Sequence, residues 1–514
     1  MTDNVTTNTR AQKLLAALAF IIAIAILLNN LGFYHDDAFI TLRYARNFLA
    51  GEGIVWNSGE YVQGYSNFLM LAAVSALGIL KIDLIVASQI IGVVSLLALI
   101  GLLVRFGRNP LLEVNPQLRL MPAIIVGTSA PLLAWSIGGL ETLLFTLMVS
   151  IGCLTILSQD NADSAEASLV VGGAALGLSF LTRPDGIIFI AVTTLYIAYL
   201  HRKANPIRAL ALFAIAVAIT TLPYITWQFL YYGDVVPNTF YAKAAGFSLQ
   251  RFSGGWEYLS QYLLLPPFLP LISIATAFAI ITRGGWNHRL SYLLFTVFVY
   301  MLYIAAVGGD HMQAFRFIVP IIPLTAFLLT LCLSKLDIVT TGRRAQSVLL
   351  SVLLLSVLQF VSPSLNPKHF DEAALVGKIV GQYIDKTWPK DSLIALNTAG
   401  STPYFAAEYR YIDMLGLNDS HIAKRVITET QLPWQDVPGH RKGDGAYVLS
   451  REPDYILIGP AQGVSIDEPW FLSDLEIAND PHFLNDYEFH WVKPVPDIWP
   501  DLKFSYYQRR STPL

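Results

Sequence analysis

The sequence predicts a polytopic α-helical membrane protein, with about 11 transmembrane helices and a C-terminal soluble α/β domain. Three observations carry this. The 514-residue chain is 54% hydrophobic and only 14% charged, where ordinary soluble domains carry about 25% charged residues. Apolar runs that approach or reach the roughly 20 residues needed to cross a bilayer recur along its first two thirds. From about residue 366 no such run remains, and helical and strand patterns alternate instead.

Composition excludes little else. Mean hydropathy is +0.51. The net charge of −3 singles out no polyanion, and nucleic acid is not among the expected partners. Cys153 and Cys332 both fall within apolar runs, so no disulfide framework is expected. No small-residue cleavage pattern closes the first apolar run, which therefore reads as an uncleaved first helix.

The expected spans are 12–31, 84–104, 120–136, 139–158, 169–182, 187–200, 207–230, 259–282, 290–307, 316–334 and 345–361. The segment 67–80 is too short and reads as interfacial or re-entrant. With the N-terminus inside, the loops holding Arg105, Arg108 and Arg119, then 201–208, then Arg283 and Arg289, then Lys335, Arg343 and Arg344, are all cytoplasmic. The loop 159–168, with Asp160, Asp163 and Glu166, breaks this rule. The outer side then collects 32–83, "SIGGLE" at 136–141, "TRPDG" at 182–186, "YYGDVVPNTFYAKAAG" at 231–246 and "GGDHMQAFR" at 308–316. Inner loops carry topology signals, and outer loops carry scattered single charges of the kind a site uses. The expected domains are 1–365, which includes the first outer loop 32–83, and 366–514, lying outside the membrane. In the latter, "DEAALVGKIVGQYIDKTW" has helical spacing, while "DSLIALN" and "PDYILIG" read as short buried strands.

The stretch "YHDDAFITLRYARNF" at 34–48 follows the first apolar run directly. Carboxylates at a membrane interface are costly unless paired or used. One of Asp36 and Asp37 could serve as a general base that takes a proton from an attacking hydroxyl. The bland alternative has Asp37 capping the helix that follows. Arg43 and Arg46 on that amphipathic helix read as snorkelling towards head groups. His35, with Asp36 and Asp37, could hold a divalent metal, though no cofactor is required. Trp56, Tyr61 and Tyr65 suit an interfacial aromatic belt or a sugar platform.

Charged groups at helix mouths are scarce and tend to face cavities. Arg183, Lys243, His311 and Arg316 are candidates for binding a phosphate, which a planar guanidinium grips bidentately. Ion pairing, for example of Arg183 with Asp185, is the alternative. Glu141, Asp185 and Asp310 are candidates for orienting substrate hydroxyls or holding the basic groups. P-loop, G-x-S-x-G and H-E-x-x-H motifs are absent.

The series "DDAFITLRYARNFLAGEGIVWNSGEYVQGYSNFL", "GGLE", "TRPDG", "YYGDVVPNTFYAK", "GGD", "IDMLGLND", "GHRKGDG" and "PDYIL" resembles the mycobacterial terminal β-(1→2) arabinofuranosyltransferase family. More broadly, the chain resembles the GT-C superfamily of polytopic glycosyltransferases. The resemblance implies a GT-C-like fold and a polyprenyl-phosphate sugar donor. It also implies a glycan or glycoconjugate acceptor, and a bacterial inner membrane location with the C-terminal domain extracytoplasmic. It assigns catalysis to Asp36 and Asp37, and contact with the acceptor to residues 366–514. The sugar, arabinofuranose or another, stays open. Protein O-glycosyl transfer is the alternative within the superfamily. A transporter is disfavoured because no internal repeat is evident and the charges gather at one face.

Overall fold

The computed structural model describes residues 2–159, 165–203, 205–243, 248–285, 287–336, 342–367, 371–428 and 430–510. Asp160 and Asp163 of the exceptional inner loop lie outside them. The chain divides into two compact units. The first comprises Met1–Phe33, Ser88–Tyr224 and Phe247–Lys368; the second comprises Tyr34–Ala87, Ile225–Gly246 and His369–Leu514.

The first unit is built from apolar helices. Among the described residues of the chain, five helical windows are long and apolar enough to cross a membrane: Gln12–Asn29, Leu84–Gly107, Pro206–Tyr232, His288–Val307 and Arg343–Val361. Only 22% of the first window and of the third is buried by protein. Their remaining apolar surface therefore needs a non-aqueous neighbour, which marks the chain as a multi-pass membrane protein. Other expected spans are shorter, such as Thr142–Leu157 and Gly186–Leu200. Two are not continuous. The segment 120–136 becomes Met121–Gly127 and Ala130–Ile137, broken before Pro131. The segment 259–282 becomes the end of Leu249–Leu263 and then Leu269–Thr282, with Pro266 and Pro267 between. Proline has no N–H to donate and its ring clashes with the preceding turn, so both breaks have a local cause. Cys153 and Cys332 are free and buried.

The ends of these helices differ in character. Arg289 donates to the carbonyl oxygens of Leu111 and Gln159, and His201 lies 3.3 Å from the Gln159 side chain. Lys335 faces Glu113 at 3.9 Å. The helices Thr142–Leu157, Gly186–Leu200 and His288–Val307 each reach one of these residues at one terminus. At the other terminus they reach Glu141, Asp185 and the 308–316 loop. Thus the loops that charge asymmetry groups together do meet.

The second unit contains a five-stranded sheet, in the order β2-β1-β3-β5-β4. The strands are β1 (Leu393–Leu396), β2 (Arg410–Asp413), β3 (Tyr455–Ile456), β4 (Tyr487–Val492) and β5 (Phe504–Arg509). β1 runs parallel to β2, with Leu393 opposite Arg410, and to β3, with Ile394 opposite Tyr455. β5 is antiparallel to β3 and β4. Buried Ala395, Ile412, Ile422, Val448, Ile456 and Tyr507 belong to its core.

Segments from earlier in the chain complete this unit. The helix Phe68–Ile79, at 12 residues, is too short to span and belongs here. The side-chain amide of Asn238 donates to the carbonyl oxygens of Gly416 (2.9 Å), Leu417 (3.0 Å) and Asp419 (3.2 Å), and its backbone N–H donates to that of Gln63 (2.8 Å). The buried Asp413 carboxylate accepts from the backbone of Leu415 and Asn418 and from the Asn418 amide, shaping the "IDMLGLND" turn. Asn418 in turn lies 3.1 Å from the Tyr44 hydroxyl.

Arg43 does not snorkel. It is 2% exposed. Its guanidinium donates to the carbonyl oxygens of Trp56 (2.8 Å), Pro403 and Tyr409 (3.0 Å), and it lies 4.9 Å from the Tyr411 ring centroid. Arg46, half-buried, donates to the Tyr404 carbonyl and stacks on its ring. Amphipathicity indicated the right buried face of the helix Asp36–Leu49, but that face packs on protein. An Arg43→Leu substitution strands three carbonyls, each loss costing about 1–3 kcal/mol. The melting temperature of this variant in detergent should fall well below that of Arg46→Leu, and melting like the wild type would show that the Arg43 contacts do not hold these segments together.

Candidate active site

The helix Asp36–Leu49 begins at His35, whose Nδ1 accepts the N–H of Asp37 at 3.2 Å. His35 is therefore the cap, not Asp37. Both carboxylates stand in the first turn, where unpaired N–H groups and the helix dipole favour negative charge.

The two aspartates differ. Asp36 is buried, and one carboxylate oxygen accepts the backbone N–H of Ser401 at 2.8 Å and its hydroxyl at 2.6 Å. The Asp36 N–H donates to Asp371 at 3.3 Å. Gly400 is required here, because a Cβ at that position would overlap the Asp36 carboxylate and carbonyl oxygen. Burial pushes the Asp36 carboxyl up to about 6; the Ser401 bonds oppose the shift, and the neighbouring charges of Asp371 and Asp37 add to it. Asp37 is only half-buried. Ser401, Gly400 and Asp371 were not legible as site residues, since they lie more than 330 positions away from Asp36. The only signal was a Gly-Ser-Thr turn following a buried strand.

A metal set of His35, Asp36 and Asp37 is not gathered. His35 Nδ1 faces the backbone, its Nε2 lies 3.8 Å from Asp371, and Asp36 is engaged by Ser401. Among the described residues, no group of three or more His, Cys, Asp or Glu could hold a metal ion.

The other candidates divide between the units. In the first, Arg183 Nε pairs with Asp185 at 3.0 Å, and its Nη1 lies 3.7 Å from Glu141. The second Asp185 oxygen accepts from the Tyr300 hydroxyl at 2.7 Å. Arg316 Nε pairs with Asp310 at 2.9 Å, and His311 lies 3.7 Å from the same carboxylate. Burial would raise the Asp310 carboxyl, but Arg316, His311 and Arg183 hold it below the ordinary value. Both guanidiniums lie against Phe317, at 4.8 and 5.1 Å from its ring centroid. Glu141, Arg183, Asp185, Asp310, His311 and Arg316 therefore form one cluster, in which the carboxylates hold the arginines. Arg183 Nη1 is buried with no hydrogen-bond partner. Lys243 belongs to the second unit, exposed at the end of the helix Asn238–Lys243 and beside Gly439.

Comparison with known proteins follows from this geometry. ArnT from Cupriavidus metallidurans, solved bound to undecaprenyl phosphate, superposes with a TM-score of 0.55, covering 77% of this chain and 84% of ArnT at 14% identity. The oligosaccharyltransferase of Archaeoglobus fulgidus gives a TM-score of 0.51 at 13% identity, over 78% of this chain and 64% of that one. Both belong to the GT-C superfamily. The chain has a GT-C fold. In sequence it is similar to the terminal β-(1→2)-arabinofuranosyltransferase of Corynebacterium glutamicum, 26% identical over 352 residues, covering 60% of this chain and 48% of the relative. The enzyme of that name from Mycobacterium tuberculosis is 28% identical over 243 residues, covering 44% of this chain and 37% of its own. The chain thus spans about half or less of the curated relatives it matches. A family model described as a domain of unknown function, DUF8728, matches residues 368–503.

The buried Asp36 gives a pH signature. Its folded carboxyl titrates near 6, above its ordinary 3.8, so the native state holds this proton more tightly than the unfolded chain does. Stability then falls as pH rises from about 4 to about 6, by on the order of 3 kcal/mol at most from this group. Asp36→Asn keeps an oxygen for both Ser401 donors and removes the titration. Its stability between pH 4 and 6 should be flatter than that of the wild type, whereas Asp36→Ala should unfold more readily at every pH. Asp413 and Asp474, also pushed up to about 6 by burial, contribute the same slope to all three proteins. Parallel pH curves for wild type and Asp36→Asn would refute the assignment.

Proposed function

We propose that this chain is a membrane glycosyltransferase. It moves a sugar, arabinofuranose or a similar one, from a polyprenyl-phosphate carrier to a cell-envelope glycan on the outer face of a bacterial inner membrane. The observation that carries this reading is the acidic first turn at 36–37, directly after a membrane-length helix, in a chain sharing its fold with a protein solved on undecaprenyl phosphate. Similarity to the arabinofuranosyltransferases supports the sugar class.

In this reading Asp37 is the base. Its half-buried carboxylate can meet an acceptor hydroxyl and take its proton as the hydroxyl oxygen attacks the anomeric carbon. Asp36, held by Ser401, positions the turn and adds negative charge beside it. On the donor side, Arg183 has an unused N–H direction for a phosphate oxygen, and Arg316 and His311 of the same cluster supply further positive charge. Phosphate leaves carrying the bonding electrons, and fixed cations stabilise that developing charge without needing to move. Glu141, Asp185 and Asp310 hold the guanidiniums in place. Residues 366–514 stand outside the membrane and meet the acceptor.

The test is transfer from a panel of synthetic polyprenyl-phosphate sugars to a glycan acceptor, with purified protein in nanodiscs. Asp37→Asn should lower turnover by about 10²–10⁴-fold, and Asp36→Asn by much less. Near-full transfer by Asp37→Asn would remove it as the base, and no turnover with any donor would overturn the class. Arg183→Gln should raise the KM for the lipid donor about tenfold or more and leave the acceptor KM close to its original value. An unchanged donor KM would reduce Arg183 to a structural ion pair.

A further inference from the structure

A cavity within the second unit is lined by residues to which no role has yet been given. It is a cleft of about 640 Å³ beside the β4–β5 hairpin, and its lining includes Trp491, Trp499, Glu372, Glu468, Asp501 and Lys503. This volume lies within the range of small-molecule sites, about 300–1,000 Å³. Trp491 is 54% exposed. The Lys503 ammonium lies 5.3 Å from the Trp491 ring centroid and restrains it. Trp499 is half-buried. The floor is tied down: the Ser505 N–H donates to the Gln462 carbonyl at 2.7 Å. Gly463, at φ +66°, approaches the Ser505 carbonyl too closely for any Cβ.

We infer that this cleft binds a neutral glycan chain, the acceptor, at a position removed from the reacting hydroxyl. This rests on the transferase reading above and deepens it. Two indole faces offer flat apolar surface to the C–H face of a sugar ring. Carboxylates and an ammonium around them accept from and donate to ring hydroxyls. Three carboxylates against one ammonium repel phosphates, uronic acids and nucleic acid, which leaves an uncharged polyol as the fitting occupant. One lining residue is next in sequence to a partner of the aspartate pair. Asp371 accepts the Asp36 N–H, and the next residue, Glu372, lines the cleft.

Isothermal titration of the full-length protein in nanodiscs tests this, using a linear arabinofuranose hexasaccharide, maltohexaose, the matching disaccharides and an anionic galacturonate hexamer. At least one neutral hexasaccharide should bind about tenfold or more tightly than its disaccharide, and the galacturonate should not bind. Trp491→Ala and Trp499→Ala should each remove about that tenfold advantage, with Trp491→Phe keeping most of it. Should Trp499→Ala fail to fold, the exposed Trp491 decides. Neutral hexasaccharide binding that both alanine variants leave intact, binding of galacturonate as good as that of neutral chains, or binding of none of them would overturn the proposal. Trp-dependent binding without any transfer would uphold the cleft and sink the transferase reading. Transfer whose preference for long over short acceptors survives both alanine substitutions would do the reverse.

Discussion

The second unit depends on one buried cation. Arg43 enters a region with no carboxylate contact described for it, and its charge is spread over three backbone carbonyls and the faces of Trp56 and Tyr411. Those carbonyls belong to the first loop and to the C-terminal segment, so a single guanidinium spans two distant parts of the chain. Arginine suits the task because its planar fork reaches several acceptors at once. Lysine, a single point of charge on a flexible stem, could not reproduce this. The helix so anchored carries the acidic turn, and the orientation of Asp36 towards Ser401 follows from that anchoring.

The architecture was legible where one element decides it. Apolar length marked the long helices, and "DSLIALN" and "PDYILIG" became β1 and β3 with their surrounding turns. Local chemistry also explains what the run-length reading overlooked. Pro131 and the pair Pro266–Pro267 stand in the sequence as breakers, yet hydropathy averaged over them. Arg43 was misread for a deeper reason. Amphipathic spacing reveals which helix face is apolar but not whether lipid or protein covers it, and a buried arginine contradicts the ordinary rule for charged residues. Likewise, nothing near Asp36 announces Ser401.

The quoted motifs take on a physical meaning in the structure. "DDAFITLRYARNF", "YYGDVVPNTFYAK" and "IDMLGLND" are read most simply as site signatures, yet Arg43, Asn238, Asp413 and Asn418 spend their polar groups joining segments of one unit. In the helical unit, similarly, the charged residues of three loops pair with one another around Phe317 before any ligand is considered. In both units, residues that suggest chemistry also maintain the geometry on which that chemistry would rely.

The composite make-up of the second unit bears on how the molecule is made. Asp36 leaves the ribosome 365 residues before Ser401, the residue that fixes its carboxylate. Throughout that interval, while the apolar helices are being delivered to the bilayer, the acidic turn has no lasting partner from the tail. Synthesis order thus acts as a timer. The unit can lock only after the intervening helices have been threaded, and a chain released early would carry its acidic turn unfinished.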